Sequence, residues 1–319
     1  NYNGVYYYVS NGVLDRNYTG VIEIDGELLL YKNGSINNGT GFGEYNGVLY
    51  YFSMGRICDR TGVIEGTYYV INGVVDRTAS GFIDCGNGML YYLFENGERC
   101  RYDDIIEYNG GLYYLDDGVL DLRRVGIFEV NGQLYYIRDG MVNTEYNGLS
   151  FHRVSDEVGY HDVWYYISNG TVDWNYTGIC EYRGAYYYVN GGMLDWSYTG
   201  LAEYYGVYYY VNGGVLDWNY SGLVEYYDSY YYVNNGVIDW SYSGLYDWYG
   251  TYYYINAGIL DWSYTGLCEY YGAYYYVNGG MLDWSYTGLV EHYGNYYYVI
   301  GGVLDWNYSG LVEYYDSYY

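Results

Sequence analysis

From Gly178 onward the hydrophobic and polar positions of the chain recur in one fixed order. A glycine opens each copy, at Gly178, Gly200, Gly222, Gly244, Gly266, Gly288 and Gly310, and every interval is 22 residues. Residues 200–221 read GLAEYYGVYYYVNGGVLDWNYS. Two runs rich in apolar and aromatic residues, 201–204 and 208–211, flank Tyr205-Gly206, where glycine accommodates positive φ, and the pattern predicts a β-hairpin. Strand alternation puts Tyr208 and Tyr210 on one face, and Tyr209 and Val211 on the other. Asn212-Gly213-Gly214 turns the chain again, and Val215-Leu216 reads as an apolar plug for a stacked neighbour to cover. One such hairpin is too small to stand alone in water. A fixed period in this range signals a repeat architecture, in which each unit buries its apolar face against its neighbours. The predicted fold class is therefore all-β: an elongated β-solenoid of stacked hairpins, without helices.

Residues 1–20, NYNGVYYYVSNGVLDRNYTG, follow the same pattern, with Arg16 where later copies carry Trp. The spacing then loosens. ELLLYKNGSI, VLYYFSMGRI, TYYVINGVV, MLYYLFENGE, GLYYLDDGVL and QLYYIRDGMV keep the aromatic strand, turn and apolar pair. The connections between them vary in length, as at 100–106 and 144–158. A soft boundary near Asp156 separates a divergent array, 1–155, from a regular one, 156–319, within one continuing fold. The regular half holds a second period: GLVEYYDSYY occurs at 222–231 and again 88 residues later at 310–319. Duplication of a block of four copies accounts for it.

Composition narrows the partners. The 319 residues include 62 Tyr, 48 Gly and no Pro, which suits strands and tight turns. With 39 acidic against 12 basic side chains the net charge is −27, so nucleic acid is not an expected partner. After Arg153 the only basic residues are Arg183 and the weakly basic His161 and His292. No apolar run is long enough to span a bilayer, and no membrane insertion is expected in this stretch. Cys58, Cys85, Cys100, Cys180 and Cys268 show no CxxC spacing, so no zinc site is indicated. Cys180 and Cys268 share the third position of their copies and read as small half-buried filler, while a pairing of Cys85 with Cys100 stays open. The chain starts and stops within a copy. It therefore reads as a window from a longer polypeptide with any signal or anchor outside it, and its cut ends predict end-to-end association with further copies of itself.

Taken together, Gly206, Tyr208-Tyr209-Tyr210-Val211, Asn212, Gly214, Val215-Leu216 and Ser221-Gly222 form a motif that recurs through essentially the whole chain. In this it resembles the cell-wall-binding repeats of bacterial surface proteins, among them choline-binding and glucan-binding modules and the repetitive glycan-binding domains of clostridial toxins. The resemblance implies β-hairpins stacked into a solenoid with aromatic ligand pockets between successive hairpins. It also implies an extracellular place on the cell surface or wall, with cell-wall polysaccharide or another glycan as partner. Where choline-binding repeats commonly carry Trp after the opening glycine, this chain has Ile179, Leu201, Leu223, Leu245, Leu267, Leu289 and Leu311.

The candidate ligand-binding residues are two aromatic rows: Tyr186, Tyr208, Tyr230, Tyr252, Tyr274 and Tyr296, with Trp196, Trp218, Trp240, Trp262, Trp284 and Trp306. Such faces stack on sugar rings or cationic head groups. They also glue strands together, at roughly 0.2–1 kcal/mol per cross-strand pair. Asp173, Asp195, Asp217, Asp239, Asp261, Asp283 and Asp305 each begin a segment like the start of a calcium loop, making calcium a candidate ion, although the bidentate Glu at the twelfth position is missing. The same short polar residues make an Asx or Ser/Thr turn. No other cofactor is expected. Glu181, Glu203, Glu225, Asp247, Glu269, Glu291 and Glu313 read as a solvated acidic face that keeps a Tyr-rich array soluble. An enzyme needs one unique site, and these carboxylates repeat in every copy, so no catalysis is expected. Asn17, Asn175, Asn219 and Asn307 open glycosylation sequons, which are also simply part of the turn.

The expected function is a non-catalytic extracellular repeat region that binds glycan or cell-wall polymer through many weak sites in a row. The alternative is a purely structural stalk or self-assembling filament in which stacking consumes the same aromatics. Exposure of the ring faces separates the two.

Overall fold

The computed structural model of the chain describes residues 1–36, 38–84, 89–156, 159–314 and 317–318. Every regular element among them is a β-strand. Contacts divide the chain into two compact units, Asn1–Tyr146 with Asn169–Thr171, and Asn147–Ser168 with Val172–Tyr319.

In the second unit the copies from Gly178 to Leu304 fold alike. Gly200–Tyr204 pairs antiparallel with Val207–Asn212, in the register Leu201↔Tyr210, Ala202↔Tyr209 and Glu203↔Tyr208. The tip is Tyr205-Gly206, with φ of 50° and 79°. Positive φ at both central residues matches the right-handed twist of the strands, and Asn or Asp is the residue usually chosen for the first of them. Val215-Leu216, expected as a plug, is a third short strand. It pairs with the same hairpin through Val211↔Leu216 and with the preceding one through Tyr187↔Val215. A two-residue strand has no periodicity of its own, so only its neighbours reveal it. Segment 144–158, read as a variable connection, is likewise largely strand: Gly148–Asp156 pairs with Gly159–Ser168 from Gly148↔Ile167 to Asp156↔Gly159.

The core lies between copies. Leu201 packs with Val224, Val233 and Ile238 of the following copy, and Leu267 with Val290, Val299 and Leu304. Each copy thus closes the face that its predecessor leaves open. Backbone bonds cross the same seam: Tyr188 N–H donates to Gly214 O, and Gly214 N–H to Tyr198 O, both at 2.9 Å. The Thr199 hydroxyl of one copy accepts from Gly213 N–H of the next at 3.0 Å. Cys180 and Cys268 are buried filler, as their shared position implies, and burial pushes the Cys180 thiol up to about 11.

The first unit uses the same module with looser joints. The hairpin Gly41–Tyr45 with Val48–Ser53 is followed by Arg56–Ile57. Val125–Val130 with Gln133–Arg138 is followed by Met141–Val142. Tips here carry the residues that such turns favour, as at Asn46-Gly47 and Asn131-Gly132. Cys100 is buried with Leu115 and Leu120, its thiol donating to Tyr102 O at 3.6 Å. Cys85, its suggested partner, lies outside the described residues.

One glycine per copy is dictated by crowding. Gly236 has φ +77°, and a Cβ there would stand 2.6 Å from the Asp217 carbonyl oxygen of the preceding copy. The residue before it tolerates a side chain, since Ala257 occupies the equivalent place in the next copy at φ 49°. Gly236→Ala should therefore destabilise the array by about 1–3 kcal/mol, and Gly213→Ala, at the tolerant place, by clearly less. Urea unfolding followed by far-ultraviolet circular dichroism checks the order. Equal costs would contradict the close-approach account.

Candidate functional site

Because hairpins face one another across every seam, the aromatic side chains on the facing strands form grooves. In the groove between copies 200–221 and 222–243, Tyr208 of the first copy faces Tyr226, Tyr231, Ile238 and Trp240 of the second around a cavity of about 160 Å³. Tyr208 meets Tyr226 edge-on, with centroids 5.6 Å apart, and Trp240 stands at 80° to Tyr231, 5.8 Å away. The arrangement recurs along the unit. Tyr186 lies 5.7 Å from Tyr204 and 6.2 Å from Trp218. Tyr230 pairs with Trp248 and Trp262, Tyr252 with Tyr270 and Trp284, and Tyr274 with His292 and Trp306. The indoles stay half open to solvent, with Trp218, Trp240 and Trp262 each 49% exposed.

The two rows expected from sequence therefore do meet, but across copies. Tyr208 shares its groove with Trp240, whereas Trp218, ten positions on in its own copy, belongs to the groove behind. Trp196 lines a smaller space of about 40 Å³ with Trp164 and Tyr187. Tyr296 is 48% exposed, the most open of its row. Two further rows complete the walls and were not singled out beforehand: the fifth position of each copy (Tyr204, Tyr226, Trp248, Tyr270, His292) and the tenth (Tyr209, Tyr231, Tyr253, Tyr275, Tyr297). The fifth position gives a sequence signal, an aromatic ring just before the tip in every copy. The tenth is hidden inside the Tyr triplet.

Carboxylates flank these grooves. The register sets Glu203 opposite Tyr208 and Glu225 opposite Tyr230, on the face that looks toward the next copy. The Tyr230 hydroxyl donates to Glu225 Oε2 at 3.2 Å.

A separate aromatic row is closed. Tyr188 stacks on Tyr198 at 3.7 Å, Tyr210 on Tyr220 at 3.8 Å and Tyr254 on Tyr264 at 3.7 Å. The outer hydroxyls donate to main-chain carbonyls, Tyr198 to Leu201 at 2.5 Å and Tyr264 to Leu267 at 2.7 Å. Loss of solvent, reinforced by the stacked neighbour, pushes the Tyr198, Tyr220, Tyr242 and Tyr264 phenols up to about 12.

The aspartate row builds turns. Oδ1 of Asp173, Asp195, Asp217, Asp239, Asp261, Asp283 and Asp305 accepts the backbone N–H two residues on, at 2.9–3.0 Å. In the serine copies the same oxygen also takes the hydroxyl, at 2.5–2.6 Å. Those serine bonds hold the Asp195, Asp239, Asp261 and Asp283 carboxyls below the usual range. Among the described residues no three His, Cys, Asp or Glu side chains gather in a metal-binding group. One oxygen of each of these candidate calcium ligands is engaged in an Asx turn.

Fold and grooves together define a class: a β-hairpin repeat protein with an open aromatic groove at each seam of its regular unit. The choline-binding repeat pattern matches residues 1–15, 160–173, 175–195, 197–217, 219–239, 263–283 and 285–305. These seven stretches carry the choline-binding repeat pattern, most of them in the regular copies. No curated protein matches its sequence. Among solved structures, choline binding protein F from Streptococcus pneumoniae is similar at 19% identity over 88% of this chain and 98% of that one, with a TM-score of 0.28. The modular autolysin LytC from Streptococcus pneumoniae is similar at 15% identity over 71% of this chain and 54% of that one, with a TM-score of 0.30. An alternansucrase in complex with isomaltotriose is similar at 18% identity over 50% and 13% of the two chains, with a TM-score of 0.23. At such scores the structural likenesses carry no argument, and the likeness to choline-binding repeats rests on the repeat pattern.

The buried phenols predict an alkaline limit. Their protons are held more tightly in the folded chain than in the unfolded one. Their contribution to stability is thus complete below the ordinary tyrosine value of 10.0 and drains away as pH rises toward about 12. Phenolate absorbance and circular dichroism recorded together should show exposed tyrosines ionising first and the sheet lost only afterwards. Sheet loss complete before any phenolate forms would contradict the assignment.

Proposed function

We propose that this chain is a non-catalytic repeat region that attaches to the bacterial cell wall surface, its grooves holding a quaternary ammonium head group of choline type carried on a cell-wall polymer. One observation carries the reading: an open cage of Tyr, Tyr and Trp recurs at successive seams with a carboxylate on its rim. A cation over an aromatic face gains about 0.5–1 kcal/mol when exposed and about 2 or more when desolvated, with Trp the best face. The negative field of the chain adds to this. The match to the choline-binding repeat supports the same head group.

The cages belong to the regular unit. In the first unit the Asx-turn aspartates Asp15, Asp76 and Asp121 are followed by Arg16, Arg77 and Leu122 in place of Trp, so a fixed charge or an aliphatic chain stands where the indole would be. The stalk reading keeps its own row of residues. Tyr198, Tyr220 and Tyr264 are consumed by stacking, while the tryptophans stay half open. The non-catalytic part of the proposal is supported by carboxylates that recur in every copy, with no single site set apart. Several shallow cages on one polymer give avidity without a strong individual site.

The test is retention of the chain on choline-bearing and choline-free cell walls, with free choline as competitor. Retention on the choline-bearing wall alone, released by choline, is expected. Trp240→Ala and Tyr208→Ala should each empty one cage and weaken retention several-fold, with circular dichroism unchanged. Equal retention on both walls, unmoved by choline, would overturn the ammonium reading and leave the polysaccharide itself as ligand. No retention on either wall would favour the stalk.

A further inference from the structure

One cage differs from the others in a way that makes it titratable. In the groove between copies 266–287 and 288–309, the fifth-position wall is His292 instead of a phenol or indole. A cavity of about 150 Å³ lies there among Tyr274, His292, Tyr293, Tyr297, Leu304 and Trp306. The imidazole centroid is 5.9 Å from Tyr274, 4.3 Å from Tyr293 and 6.3 Å from Tyr297. Every ring around it is aromatic and electron-rich.

We infer that His292 makes this one cage a pH-gated cation site, open to a quaternary ammonium when the imidazole is neutral and closed when it is protonated. The inference rests on the ammonium reading of the grooves given above. A neutral imidazole serves as one more flat wall. A protonated one carries its own positive charge into the cage and offers it to the faces that the ligand needs. Ligand and imidazolium then compete for the same phenol and indole faces, and repel each other at contact range.

The charged and titratable groups around the imidazole fit this exchange. Tyr274 faces it from the preceding hairpin, Tyr297 from its own second strand and Tyr293 from the tip. Glu269 stands opposite Tyr274 in register, its Oε1 accepting Gly272 N–H at 2.7 Å. Asp305, just before Trp306, spends its Oδ1 on Asn307 N–H. Glu291, the next residue along the strand, is paired with Tyr296 on the opposite face.

The chain holds only three histidines, His152, His161 and His292, so their ring signals can be followed individually by NMR while the intact chain is titrated with free choline. Choline should lower the titration midpoint of His292 by about one unit, which corresponds to about tenfold weaker binding to the protonated cage, and leave His152 and His161 in place. The Trp306 indole should respond to choline near pH 8 and lose most of that response near pH 5, while Trp218 and Trp240 respond equally at both. In His292→Tyr, which installs the residue found at Tyr204, Tyr226 and Tyr270, the Trp306 response should become independent of pH. Choline responses at Trp218 and Trp240 with an unmoved His292 midpoint would overturn the gate and leave the ammonium reading intact. No indole response at any pH would remove that reading, and the gate with it.

Discussion

A 22-residue hairpin has one apolar face and nothing of its own to set against it. Leu201 closes on Val224, Val233 and Ile238, all from the copy that follows, and the same exchange repeats at each seam of the regular unit. The rest of the architecture depends on that borrowed core. A one-residue slip of a strand against its partner would turn every side chain to the wrong face, and from Gly178 onward the 22-residue period is held without exception. Gly236 and its equivalents are the point of closest approach between consecutive copies, and the stacked phenols, with the carbonyls they bond, brace the seam on one side.

The grooves are a by-product of this stacking. Two hairpins that meet through leucine and valine at their centre leave their outer ends apart, and there the tyrosine of one copy faces the tryptophan of the next. A groove therefore has no existence within a copy. It also follows that one seam can be altered by a single residue without disturbing the others, as Trp248 and His292 show at the position that elsewhere carries tyrosine.

Much of this was legible in the sequence, because both the period and the hairpin turn depend on local residue identity. Tyr205-Gly206 marks its tip and Val211 its inner face, and both stand where alternation puts them. The partners across a seam were not legible. Tyr208 is nearer in sequence to Trp218 than to Trp240, yet the offset between stacked copies, which no spacing encodes, decides which one it meets. Tyr231 could not be distinguished from Tyr230 and Tyr232 as a groove wall, since all three are the same residue. The aspartate row was ambiguous for a different reason: an Asx turn and the opening of a calcium loop ask for the same short polar side chains, and the Asp195 and Asp217 Oδ1 atoms do make the Asx turn.

Because each groove needs two neighbouring copies and nothing further along the chain, the number of grooves in such an array is a matter of arithmetic. One added copy brings one added seam and one added cage, with the existing cages untouched. A tandem duplication of coding sequence in whole multiples of the repeat is thus a ready-made step in valency, needing no invention of a new pocket. The recurrence of GLVEYYDSYY after 88 residues is the trace that one such step leaves. On the proposed wall-binding reading, selection adjusts grip by gaining or losing copies, much as the length of a zip sets how firmly it holds, while single substitutions at the fifth position tune individual teeth.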